Sequence, residues 1–206
     1  MIEIRNASTD DVNEIVRIHC NAFQGFFLTS LGPAFLKFYY SCFIKSNETV
    51  CMVAHETSAD SSQDQNIVGF SAATMVCKGF NIRLIKQNLI SFGILSLKLL
   101  FSNPGALLRL VKNLTKKSET AEDNEDYAEL YSIGVDSHQQ GKGIGKKLLA
   151  KTEEVLKAEG ADRVSLTTDY DNNESAVGFY NSMGYEILYE FVTYPNRKMY
   201  RLIKSL

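Results

Sequence analysis

Apolar and polar residues alternate over residues 2–5, which predicts a short, half-buried strand. Ser8, Thr9, Asp10 and Asp11 follow as capping and first-turn residues. Val12, Ile15, Val16, Ile18 and Cys20 then form a broad apolar helix face. Pro33 suits the first turn of a second helix, carried on by Phe35, Leu36, Phe38, Tyr39, Cys42 and Phe43. Residues 49–54 and 67–76 are rich in strand formers, and the polar stretch 58–66 between them predicts a hairpin loop. Helical spacing returns at Ile90, Ile94, Leu97, Leu100 and Phe101. Asn103-Pro104 interrupts it and Leu107, Leu108, Leu110 and Val111 resume it, so two helices are predicted over residues 80–114.

Residues 130–136 then read as an apolar strand and turn, followed by a glycine-rich loop and an amphipathic helix. In the last segment Ala176, Phe179, Tyr180 and Met183 share one helical face. Asn173 suits its N-cap and Gly184 its C-terminal stop, and Tyr185 to Leu188 begin another strand.

Composition narrows the class. A chain of 206 residues suits one domain, 1–206, with a sizeable core. The net charge of -2 gives no general case for nucleic-acid or membrane binding. Cys20, Cys42, Cys51 and Cys77 show no metal-ligand spacing, so no metal is expected; free thiols among apolar neighbours suit a reducing cytoplasm. The amino terminus does not read as a secretory signal, and no run approaches the roughly 18 apolar residues of a membrane span. His19, His55 and His138 are scattered and read as surface or structural residues.

One charge pattern stands out. Eight basic residues and no acid lie between Lys78 and Lys117, with Glu119, Glu122, Asp123, Glu125 and Asp126 directly behind. Three readings stay open: a helical cap with solvated lysines, docking of an anionic acceptor such as a nucleotide-sugar, or amphipathic contact with an anionic membrane surface.

The glycine-rich loop carries the chemistry. Gly141, Gly143 and Gly145 free the backbone for close approach of a ligand, and the helix that starts there points unpaired N–H groups at it. An anion, phosphate above all, suits that place. A Walker A loop fails, because Lys147 follows Gly145-Lys146 and Gln140 stands where its first glycine belongs; a dinucleotide loop fails at Lys146. Gln140, Gly143 and Gly145 fit Gln/Arg-x-x-Gly-x-Gly/Ala, which resembles the acyl-CoA loop of the GNAT superfamily of N-acetyltransferases. Residues 173–185 resemble that family's Asn-x-x-Ala-x-x-Phe-Tyr-x-x-x-Gly-Phe segment, and the two motifs occur in the family's order.

The resemblance implies an α/β fold: a mixed, twisted sheet of roughly seven strands flanked by helices, its central strands splayed to admit CoA, here with a helical insertion over 80–117. It implies acetyl-CoA as co-substrate and transfer of the acetyl group to a primary amine; the basic, aromatic region suggests an anionic or large small-molecule acceptor such as an amino-sugar nucleotide, and a protein or peptide amine stays open. It implies main-chain N–H groups at Gln140, Gly141, Lys142, Gly143, Ile144, Gly145 and Lys146 on the pyrophosphate, with Asn173 and Ala176 beside the pantetheine. Backbone near Ile133, Gly134 and Val135 would meet the oxyanion, with Gly134 marking a strand bulge.

Tyr180 matches the general-acid position and Glu129 the general base of some members, with Glu129, Tyr131 and Ile133 sharing a face. Phe26, Phe27 and Thr29, together with Thr74, are the candidates for acceptor contact. Two other classes compete: a non-catalytic acyl-CoA-binding module, and a nucleotide-binding module.

Overall fold

The computed structural model describes residues 1–57, 66–115 and 126–206. Most of the predicted polar loop after the second strand, and the acidic run 119–125, lie outside the described residues. The first strand β1 (Ile2–Asn6) leads through a 3₁₀ turn into α1 (Val12–Ala22), a one-turn α2 (Phe27–Ser30) and α3 (Pro33–Lys45). The hairpin strands β2 (Thr49–Glu56) and β3 (Asn66–Thr74) come next.

The insertion differs from the two helices that hydrophobic spacing predicts. It forms three: α4 (Phe80–Gln87), α5 (Leu89–Ser102) and α6 (Pro104–Thr115). Asn88 breaks the first from the second, its side chain donating to the Leu84 carbonyl at 2.9 Å, a local bond that competes with helix continuation. Then come β4 (Ala128–Val135), α7 (Ile144–Ala158), β5 (Arg163–Asp169), α8 (Glu174–Ser182), β6 (Glu186–Thr193) and β7 (Arg197–Ser205).

The strands form one seven-stranded sheet in the order β1-β2-β3-β4-β5-β7-β6, with β4–β5 parallel and the other neighbouring pairs antiparallel. Each face carries its own core. On one face α1 and α3 bury Ile15, Ile18, Leu36, Tyr40 and Phe43 against Phe70. On the other, α7 buries Ile144, Leu148, Leu149 and Leu156 against β2, β3 and β4.

Two features of β4 set which of its side chains meet each core. Ala72 faces Ser132 and Ala73 faces Leu130, so Tyr131 is the extra residue of a bulge. The bulge therefore sits at Tyr131 and not at Gly134. The extra residue reverses the alternation: Tyr131 joins the α1/α3 core, whereas Leu130, Ile133 and Val135 face α7. Glu129, Tyr131 and Ile133 consequently do not share a face. Gly134 has a different reason: a Cβ there would stand 2.9 Å from a Phe70 ring carbon.

Candidate active site

Strands β4 and β5 pair only at Ala128–Val164, Glu129–Ser165 and Leu130–Leu166. Beyond that point each strand keeps its outer neighbour, β3 or β7, and the two diverge. The gap between them opens into a cleft of about 1010 Å³. Its floor is residues 131–135 of β4 and 167–169 of β5; the start of α7 and one side of α8 close it.

The glycine-rich loop forms one end. Gly143 is the N-cap of α7 at φ 76° and Gly141 lies at φ 78°, both in the left-handed region that side chains resist. The Lys147 N–H is the first to reach back, to the Gly143 carbonyl at 3.1 Å, so the N–H groups of Ile144, Gly145 and Lys146 have no acceptor within the helix. Gln140, Gly141, Gly143, Ile144, Gly145 and Lys146 all line the cleft. Lys142 does not; its ammonium donates to Gln139 Oε1 at 2.6 Å.

The loop is anchored at its entry by Asp136. Its carboxylate accepts Arg17 Nη1 at 2.7 Å and the His138 N–H at 3.1 Å, and these two donors hold it below the ordinary carboxylate range. A Cβ at Gly145 would stand 3.7 Å from Phe179, taking up space over the helix entry. Free N–H groups, left-handed glycines and the Lys146 cation together fit the diphosphate of CoA.

Helix α8 supplies the opposite wall through Asn173, Ala176, Phe179 and Tyr180. Asn173 sits at the N-cap, yet its side chain does not cap. Its amide donates back to Thr168 Oγ1 at 2.6 Å and the Asp169 carbonyl at 3.0 Å, tying α8 to the end of β5. At the other end the Tyr185 N–H reaches the Tyr180 carbonyl at 3.1 Å and Gly184 lies at φ 88°. Tyr180 packs edge-on against Phe179 and Tyr185, and burial pushes its phenol up to about 12.

Three expected residues are placed elsewhere. The Glu129 carboxylate is buried beneath the cleft floor, 2.5 Å from Arg201 Nη1 and 2.9 Å from the Cys77 thiol, which donates to it. Thr29 donates to the Phe23 carbonyl at 2.6 Å, and Thr74, fully buried, donates to the Glu48 carbonyl at 3.0 Å. None of the three lines the cleft. Phe26 and Phe27 do, beside Phe23, and opposite them Arg197 forms a two-pronged ion pair with Asp169 while lying over the Phe26 ring at 4.9 Å. No motif surrounds Arg197, and it reaches the site only because β7 pairs with β5.

His19 is the other residue that spacing along the chain does not reveal. It is buried on the cleft wall, with Nδ1 2.7 Å from the Tyr40 hydroxyl, and its Nε2 has no hydrogen-bond partner among the described residues. Burial pulls its imidazole down to about 4. The folded state then binds fewer protons than an unfolded histidine near 6.5, so the associated stability is complete above about pH 6.5 and declines toward pH 4. This residue is expected to cost about 3 kcal/mol of unfolding free energy across that interval. Urea unfolding along the pH series reads it, and His19→Gln should flatten the slope; an unchanged slope would assign it to other groups.

Among the described residues no three His, Cys, Asp or Glu side chains group as metal ligands. Cys42, Cys51 and Cys77 are buried and Cys20 partly buried, and none is in a disulfide.

A seven-stranded mixed sheet that splays beside a glycine-rich helix entry is the acyl-CoA N-acyltransferase, or GNAT, fold. Residues 105–185 match the family model described as the acetyltransferase (GNAT) family. Mycothiol acetyltransferase of Kocuria rhizophila is 39% identical over 72 residues, 35% of this chain but only 23% of that relative's length. Among solved structures, the ribosomal-protein-S18-alanine N-acetyltransferase of Escherichia coli superposes with a TM-score of 0.61 at 16% identity, covering 100% of this chain and 94% of that one. The PaiA N-acetyltransferase of Thermoplasma acidophilum, solved with coenzyme A, gives 0.58 at 17% identity, covering 100% and 99%. At these identities the superpositions speak for the fold.

Proposed function

We propose that this protein is an acetyl-CoA-dependent N-acetyltransferase acting on a primary amine of a small molecule. The single observation that carries this is the continuity of the cleft. One cavity joins the anion-ready start of α7, the gap between β4 and β5, the Tyr180 side chain and an aromatic wall for a second ligand. Acetyl-CoA supplies the acyl group as a thioester; the neutral amine forms the new C–N bond as the C–S bond breaks, and the proton the amine loses passes through water to the departing thiolate, giving the amide and free CoA thiol.

The chain's own residues divide that work. Main-chain N–H groups of the loop hold the diphosphate, and the side of residues 133–135 turned away from β3, which β5 no longer pairs, faces the thioester carbonyl. Tyr180, protonated at neutral pH, donates a hydrogen bond to the departing sulfur. A phenol near 12 is a weaker acid than a thiol near 8.5, so it shares its proton with the thiolate more than it transfers it.

Glu129 is an unsuitable base, because Arg201 and Cys77 already occupy its carboxylate. His19, neutral and with its Nε2 shielded from solvent, helps build the cleft wall; we assign it a positioning role there. On the acceptor side, Phe23, Phe26 and Phe27 suit an amine bearing a flat or ring-shaped body, as an amino-sugar nucleotide does, while Asp169 holds Arg197 against that wall. The free thiols suit a cytoplasmic location.

Gly143→Val tests the loop. A β-branched residue resists φ 76°, so CoA affinity measured by calorimetry should fall at least about tenfold, with release of free thiol from acetyl-CoA falling in step across an amine library. Unchanged affinity would sink the assignment.

A further inference from the structure

Helix α5 is strongly apolar, its polar residues being Ser91, Ser96, Lys98 and Ser102. Phe92 is buried against Phe35 and Phe38, as a core-facing residue should be. Ile90, Ile94, Leu97 and Phe101, spaced four, three and four apart, form a second stripe that faces away from the protein. Ile90 and Phe101 are each 82% exposed, and Leu89, Leu100 and Leu108 of α6 widen the patch. A continuous apolar surface of this kind marks an interaction site.

Its occupant can be narrowed by length, charge and position. Fourteen residues make a helix about 21 Å long, short of the roughly 30 Å hydrocarbon layer. Among the described residues no helix is long and apolar enough to cross a membrane. Residues 78–115 carry Lys78, Arg83, Lys86, Lys98, Arg109 and Lys112 and no acid, in a chain of net charge -2; of these, Arg83 is paired with Glu48 at 2.8 Å. A second copy docked symmetrically on this face would bring two such cationic segments together, which disfavours self-pairing. None of these residues lines the cleft, so the patch does not serve as a wall for the acceptor. An apolar stripe within a cationic segment complements an anionic lipid surface.

We propose that the insertion docks the protein on an anionic bilayer, with the outer stripe of α5 lying in the headgroup layer. Binding then depends on both the apolar stripe and the surrounding charge.

Co-sedimentation of the whole chain with phosphatidylcholine vesicles, with and without phosphatidylglycerol, tests this. Partition should be at least about tenfold stronger on the anionic vesicles and should weaken with salt. Ile94→Asp combined with Phe101→Asp should lower it at least about tenfold. Lys86→Glu, which leaves the stripe intact, should lower it roughly fivefold on anionic vesicles only. CoA titration of each variant should match the parent chain, which reports folding independently of the proposal. Equal partition on both vesicle types, no partition, or a dimer in light scattering that Ile94→Asp dissolves would each overturn it.

Discussion

Tyr180→Phe should lower kcat about 10²-fold while CoA affinity changes little. The substitution removes one hydroxyl and keeps the ring that packs on Phe179 and Tyr185, so the wall of the cleft survives. What disappears is a hydrogen bond that gains strength only as negative charge builds on sulfur, an interaction of the reacting complex more than of the bound ground state. The pH profile adds a second handle. With its phenol near 12, Tyr180 stays protonated throughout the neutral and mildly alkaline range, so it contributes no alkaline fall in rate there. Steady-state kinetics beside calorimetry separates the alternatives: an equal loss of CoA affinity would make Tyr180 a binding residue, and an unchanged kcat would remove it from the chemistry.

Glu129→Ala is expected to cost about 3–5 kcal/mol of unfolding free energy, read from the denaturant midpoint at constant slope. The side chains of Glu129 and Arg201 are each about 10% exposed, and Arg201 also donates to Ser165 at 2.9 Å. Deleting the carboxylate leaves the guanidinium buried without its counter-charge, which costs far more than a surface pair. Glu129→Gln keeps an oxygen within reach of Arg201 and should lose less. A Gln variant with full stability and abolished turnover would restore Glu129 as a base and refute its structural assignment.

Sequence motifs account for one half of the cleft lining. Glycines at 141, 143 and 145 before a helix, and Asn173 to Gly184 on another, are local patterns, and the cleft gathers most of them. They are legible because their work is done by backbone conformation and by one face of one helix, both written in adjacent residues. Side chains whose meaning depends on a partner strand or helix are not. Glu129 matches a local Ala-Glu-Leu pattern, yet Arg201, 72 positions away, captures it. His19 looks like an ordinary helix residue until Tyr40 and the cleft wall surround it.

The chain's own order of residues thus determined the strand and helix periods, the left-handed glycine loop, the aromatic face of α8 and the acid-free insertion. Tertiary structure alone decided where β4 parts from β5, which face each residue of β4 takes after the bulge at Tyr131, and that Arg201 holds the Glu129 carboxylate. The reason is physical. Periodicity and backbone preference act over a few neighbours, whereas strand register and ion pairing join residues far apart in the chain, and one extra residue in a strand exchanges its two faces.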